Sequence, residues 1–227
     1  DPHATVIIYP SDHFVYPEAR FMATVQEAVS TAERLRDRIV VLGVAPDRLE
    51  LDYGWMLPGE TLARAGMQPV QAVRTFLEKP TAQQADDALV NHALWNTMVM
   101  TAKVDTLWSL GRECFPKLMQ RFERLGRAIG TAKESQVLEA IYQTMPSKNF
   151  SSDLLQRVPD RVAVTELTNV LWSDWGRPER IAESLRRIDR MPAFPLETLG
   201  RPFAPIHNRF GIGMGLAPLA IAGSLKR

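Results

Sequence analysis

The feature that most constrains the fold is a strand–helix–strand unit at the start of the chain. Thr5 to Pro10 (TVIIYP) is a short β-branched run closed by proline, which predicts a buried strand. Pro17-Glu18 then opens a helix, with proline early and an acid in the first turn. Phe21, Val25, Ala28, Val29, Ala32 and Leu35 recur at helical spacing as far as Arg38. RIVVLGVAP returns as a second strand, stopped by Gly43 and Pro46. A strand, an amphipathic helix and a second apolar strand predict an α/β fold, with a mostly parallel sheet flanked by helices, Rossmann-like in kind.

The rest of the chain continues the alternation. DYGWMLPGE predicts a strand leaving a loop, with Pro58-Gly59 as a turn. VQAVRTFLEKP predicts a strand ending at Pro80, and Thr81 is placed to cap a helix through His92. LWNTMVMTAK is short and apolar enough for a buried strand. Val104 to Gly130 predicts two helices broken around Phe115-Pro116. Thr131 to Met145 predicts a further helix with Thr131 and Glu134 as a capping box. Ser151 or Ser152 is placed to cap a short helix, RVAVTEL and NVLWSDWG predict two more strands, and Arg177-Pro178-Glu179 starts a last amphipathic helix. Residues 1–190 therefore predict one α/β domain. After Pro192 proline, glycine and isolated apolar residues predict an irregular or partly disordered tail over 191–227.

Composition narrows the function classes. Of 227 residues, 27 are Lys or Arg and 26 are Asp or Glu, a net charge of +1. That balance supplies no field for nucleic acid or an anionic membrane, so any anionic ligand must be held locally. The single cysteine, Cys114, allows no internal disulfide and has no nearby His, which predicts a structural role. No apolar run is long enough to span a bilayer, and DPHATVIIYP lacks the pattern of a signal peptide, so a cytoplasmic protein is expected. The abrupt entry into a strand hints at a missing N-terminal portion.

In open α/β sheets ligands bind beyond the carboxyl ends of the strands. Polar residues just after strands are therefore the candidates: Ser11-Asp12-His13, Glu78-Lys79, Asn96-Thr97 and Ser173-Asp174. Two carboxylates such as Asp12 and Asp174, converging from separate strands, can hold Mg²⁺ with water and substrate phosphates. Taken alone, each reads first as a turn or cap residue. Glu78 can accept hydrogen bonds from sugar hydroxyls and Lys79 can neutralise a phosphate, although alone the pair reads as an exposed charged turn. His13, His92 and His207 have no zinc-site spacing.

Taken in order, these segments resemble the sugar-1-phosphate nucleotidyltransferases, mannose-1-phosphate guanylyltransferases most of all. YPSDHFV (Tyr9 to Val15) resembles the family's PADH segment, and ELDYGWM (Glu50 to Met56) its ETGYGYI segment. FLEKP (Phe76 to Pro80) matches FxEKP, and WNTMVM (Trp95 to Met100) resembles WNSGMF. FSSDLLQRV (Phe150 to Val158) resembles a SIDYAVME-type helix, and LWSDWGRPER (Leu171 to Arg180) resembles FGWSDVGSW. The resemblance implies attack of a sugar 1-phosphate oxygen on the α-phosphorus of GTP or another NTP, releasing pyrophosphate. It implies Mg²⁺ held by Asp12 and Asp174, with Lys79 at the sugar phosphate. Glu78 and Asn96 would bind sugar hydroxyls, and Tyr53 and Gly54 would lie against the sugar.

The chain departs from the pattern in four places. Asp52 stands for Gly, Trp55 for Tyr, and Thr97-Met98 for Ser-Gly, with a bulky Met98 where a small residue lies near the sugar. Nothing before Tyr9 resembles the family's Gly-rich triphosphate loop, and Gly211 to Ala220 (GIGMGLAPLA) is read as tail in preference to such a loop. The expected partners are a sugar 1-phosphate, mannose 1-phosphate foremost, and an NTP, with homo-oligomer formation open. The alternative is a non-catalytic phosphosugar-binding module of the same fold.

Overall fold

A computed structural model describes residues 1–195. The expected tail, including the Gly-rich stretch, lies largely outside the described residues. In chain order the elements are β1 (Thr5–Ile8), β2 (Phe14–Tyr16), α1 (Glu18–Arg34), β3 (Ile39–Val44), β4 (Gly54–Ala65) and β5 (Gln68–Glu78). There follow α2 (Ala82–Val90), β6 (Leu94–Lys103), α3 (Val104–Cys114), α4 (Pro116–Ala128) and α5 (Glu134–Thr144). A π-helical turn (Ser151–Leu155) and a 3-10 turn (Pro159–Arg161) lead into β7 (Val162–Glu166), β8 (Leu171–Ser173) and α6 (Pro178–Arg187).

The α/β class is as the sequence predicts, but the sheet is not mostly parallel. Its strand order is β1-β6-β3-β7-β5-β4, and among the described residues only β3 and β7 pair in parallel. The opening unit explains the difference. β1 and β3 run the same way, as expected, yet each is antiparallel to β6, which lies between them. A periodicity reading gives the direction of β1 relative to β3 but not which strand separates them.

β1 also departs from expectation. It is at the end of the sheet, paired among the described residues only with β6, and Ile7 and Ile8 are 41% and 42% exposed. Its apolar run predicts a buried strand, but a place at the sheet's edge leaves its outer side open. β3 is the opposite case. All six of its residues are buried between two core layers, so its continuous apolar run has an apolar partner on either face.

The first core layer packs α1 (Phe21, Val25, Ala28, Ala32) and α2 (Ala85, Ala88) on Val40, Leu42, Trp55, Trp95 and Trp172. The second packs α3 (Leu110, Cys114) and the π-helical turn (Leu154, Leu155) on Ile39, Val41, Met56, Phe76 and Val164. Each fully buried Val, Leu or Ile contributes about 1.5–3 kcal/mol. Cys114 sits in this core as expected of a structural cysteine, and burial pushes its thiol upward.

Local signals mostly act as predicted. Thr81 caps α2 with a full capping box to Gln84, and Pro116 opens α4 where the helical run breaks. Three do not. Pro58-Gly59 lies inside β4, at a register shift just past the two residues that also pair with β6, where a missing N–H is tolerated. The β4–β5 turn is made instead by Gly66, with φ +55. Thr131 donates to the Ala128 carbonyl and leaves α5 without a side-chain cap. Asn149, not a serine, accepts from the Ser152 amide at the π-helical turn.

Candidate functional site

Four strand ends meet in one row. Leu77 of β5 pairs with Trp55 of β4, Trp55 also pairs with Trp95 of β6, and Trp95 pairs with Val44 of β3. Residues directly opposite on antiparallel strands share a face. These four side chains therefore face the α1 core layer together. Their neighbours, Gly54 opposite Glu78 and Asn96 opposite Gly43, face the other way.

That second face carries the first cluster of predicted residues. A Cβ on Gly54 would lie 2.9 Å from Glu78 Oε2 and 3.2 Å from Asn96 Cβ. Glycine here lets the carboxylate and the amide approach each other across β4. Burial raises the Glu78 carboxyl above its ordinary value, opposed by Lys79 and by a hydrogen bond from Ser151. Lys79 is exposed at φ +48, so the chain turns sharply just where its ammonium projects.

Asn96 is fixed by a kink in its own strand. Its Oδ1 accepts from the Met98 amide (2.9 Å), while Thr97 donates its hydroxyl to the Leu42 carbonyl (2.6 Å). Met98 thereby takes φ +57, unusual for a non-glycine residue and a sign of a constrained site. Its thioether returns over the cluster, 3.0 Å from Asn96 Nδ2 and 3.3 Å from Ser151 Oγ. Ser151 and Gln156, whose side chain accepts from the Glu78 amide (3.0 Å), are site residues that strand-end reasoning missed. The only signal for them was the family-like FSSDLLQRV segment.

The second cluster lies where β2 pairs with β8, a two-stranded sheet that the sequence did not predict. Phe14 opposes Ser173, which brings the Asp12-His13 loop to Asp174. Phe14 and Trp175 stack with ring centroids 4.8 Å apart. Tyr53 belongs to this cluster and not to the Glu78 side. It packs edge-on against Trp95 and Trp172 and donates its hydroxyl to Asp174 Oδ1 (2.9 Å). Burial, then the Asp174 charge, raise the Tyr53 phenol and keep it a donor.

His13 links the two clusters. It accepts from Trp172 Nε1 (3.3 Å) at Nδ1 and lies beside the Thr97 backbone. Burial lowers its pKa from 6.5, against the pull of Asp12 and Asp174. A depressed folded value means that protonation opposes folding. The contribution of neutral His13 is fully present above 6.5 and is lost as pH falls through the lower folded value. An NMR titration is expected to place the His13 midpoint below 6.5, and a midpoint above it would rule this out.

Asp174 has both oxygens engaged. Oδ1 accepts from Tyr53 and from the Gly176 amide (3.2 Å), and Oδ2 accepts from Arg180 Nη1 at 2.6 Å. Arg180 Nη2 reaches Glu50 Oε2 at 2.8 Å and Asp52 Oδ2 at 3.3 Å. Arg177 also pairs with Asp52. Mg²⁺ needs open oxygen directions in a near-octahedral shell. The one direction left on Asp174 is on Oδ2, the oxygen that already holds the guanidinium. The donor set does not fit an ion held by Asp12 and Asp174.

Arg180 was missed, though a signal existed. It is the third residue of α6, in the first turn, where the helix dipole favours acids. A cation there points to strong local carboxylates.

The family model described as "Nucleotidyl transferase" matches residues 1–190. The chain belongs to the nucleotidyl transferase family. A mannose-1-phosphate guanylyltransferase of Escherichia coli is 25% identical over 175 residues, covering 75% of this chain and 36% of that protein. The xanthan biosynthesis protein XanB of Xanthomonas campestris pv. campestris (strain B100) is 24% identical, covering 75% and 35%. The chain thus spans about a third of the length of the curated relatives it matches. A Thermus thermophilus structure titled mannose-1-phosphate geranyltransferase superposes with TM-score 0.65 at 23% identity, covering 83% of this chain and 50% of that one. That likeness is one of fold. Among the described residues no helix is long and apolar enough to cross a membrane.

Proposed function

We propose that this chain is the sugar-phosphate-binding part of a mannose-1-phosphate guanylyltransferase-type enzyme. The observation that carries this is the glycine gap at Gly54 between Glu78 and Asn96, with Lys79 turned out beside it. Glu78 would accept hydrogen bonds from sugar hydroxyls, and Lys79 would place a point charge at the phosphate. The reaction is attack of the sugar-phosphate oxygen on the α-phosphorus of an NTP such as GTP, with pyrophosphate leaving. Little covalent work falls to the protein, so these residues act by alignment and charge.

Calorimetry of the full chain with mannose 1-phosphate tests the reading. Binding is expected, and Lys79→Ala should weaken it about tenfold, the effect of losing one charge-assisted contact at an exposed position. Absence of binding would overturn the assignment.

A second reading is a non-catalytic phosphosugar-binding module of the same fold, and in either reading one contact bears on sugar affinity. The Met98 thioether already occupies the polar groups of Asn96 and Ser151. Met98→Gly removes that plug and suits the positive φ. Mannose 1-phosphate is expected to bind the variant more tightly than wild type, and unchanged affinity would show that Met98 does not compete with the sugar. Tight binding of GTP by the wild-type chain would count against the second reading.

A further inference from the structure

Glu50 and Asp52, from the loop after β3, and Asp174, just after β8, converge on one point. Three carboxylates so placed repel one another unless a positive charge lies between them. Either a divalent ion or a side chain can supply it. Here the Arg180 guanidinium lies at the centre of the three, 4.6 Å from the centroid of the Tyr53 ring. Its side chain is 8% exposed, against 14% for Glu50 and 21% for Asp174, so these two pairings are largely shielded from water, whereas Asp52 is 48% exposed and also held by Arg177.

Geometry also opposes an ion at this place. Each oxygen of Asp174 has a partner, and the two terminal nitrogens of Arg180 are shared among the three carboxylates. A divalent ion at Asp174 would have to displace the guanidinium and then coexist with it a few ångströms away. Arginine keeps its charge and its planar fork at any working pH, which suits a permanent counter-ion. Its place in the first turn of α6 is unfavourable by the helix dipole. Three close carboxylates outweigh that.

We infer that Arg180 is the resident cation of this carboxylate cluster, and that Asp174 holds its guanidinium in place of a divalent metal ion. The inference rests on the proposed function only for the expectation of an ion at Asp174.

The test is Mn²⁺ binding to the full chain, followed by electron paramagnetic resonance, with and without mannose 1-phosphate. Wild type and Asp174→Asn are expected to bind Mn²⁺ equally. Arg180→Met keeps an apolar stem and takes the guanidinium away from Asp174 and Glu50, while Arg177 still holds Asp52. It should bind Mn²⁺ about tenfold more tightly or better, and Asp174→Asn in that background should abolish the gain. Wild-type Mn²⁺ binding that Asp174→Asn weakens tenfold, or Arg180→Met with no gain, would overturn the inference. Should Arg180→Met not fold, the thermal midpoints of wild type and Asp174→Asn decide, measured with and without about 10 mM MgCl₂. Equal responses support Arg180 as the cation, and a rise confined to wild type overturns it. Failure to bind mannose 1-phosphate removes the proposed function but leaves these outcomes intact.

Discussion

Arg180→Ala is expected to cost about 3–5 kcal/mol of folding stability, the range for removing one partner of a buried ion pair. The loss comes less from the missing attraction than from what is left behind. Asp174, largely buried, would lose its cation, and Glu50 would keep only its longer contact with Arg48. The Tyr53 ring would lose its cation, and α6 would lose a tie to the loop after β3. Arg48 already lies 3.7 Å from Glu50 and is also held by Asp47 and Glu183, and Arg187 pairs with Asp47 and Glu183, so neither replaces Arg180 at Asp174. Urea unfolding followed by tryptophan fluorescence measures the effect, since Trp172 and Trp175 flank the cluster. A loss below about 1 kcal/mol would mean that the pairs behave as exposed surface bridges.

Gly54→Ala is the second large effect, expected to destabilise by about 1–3 kcal/mol through overpacking. The added Cβ would meet Glu78 Oε2 at 2.9 Å, Asn96 Cβ at 3.2 Å and Phe76 Cζ at 3.3 Å. Glu78 is the contact able to move, but its backbone amide is tied to Gln156 and its strand pairs with β4 at this residue. Asn96 cannot retreat, because its side chain holds the Met98 amide. Binding of mannose 1-phosphate should fall with stability, since the carboxylate and amide would be pushed apart. A double-mutant cycle with Glu78→Ala isolates the clash: removing the carboxylate should recover part of the loss. Strict additivity would place the strain elsewhere.

Several parts of the site could be read in the chain. The four strand-end segments named candidates because α/β ligands gather there, and the structure brings Gly54, Glu78 and Asn96 together and the Asp12-His13 loop towards Asp174. What could not be read was their division. Tyr53 and Gly54 are adjacent in sequence, yet one joins the Asp174 cluster and the other the Glu78 cluster, because successive side chains near a strand point to opposite faces. Nor could the partner of Asp174 be found by motif. Its guanidinium comes from the next helix, and only the β2–β8 pairing and the course of the 47–53 loop bring the other carboxylates to it.

By itself the sequence determined the elements and the class: β-branched runs, helical spacing and breakers at Pro80 and Pro116 are local signals, and local signals set local structure. Tertiary structure alone decided that β6 lies between β1 and β3, and so made the sheet mixed. It also decided that Met98 turns back over Asn96 and that Asp174 is paired with Arg180 instead of standing free. These depend on which distant segments meet, and the energies that choose among such meetings are summed over both core layers. No single segment of the chain carries them.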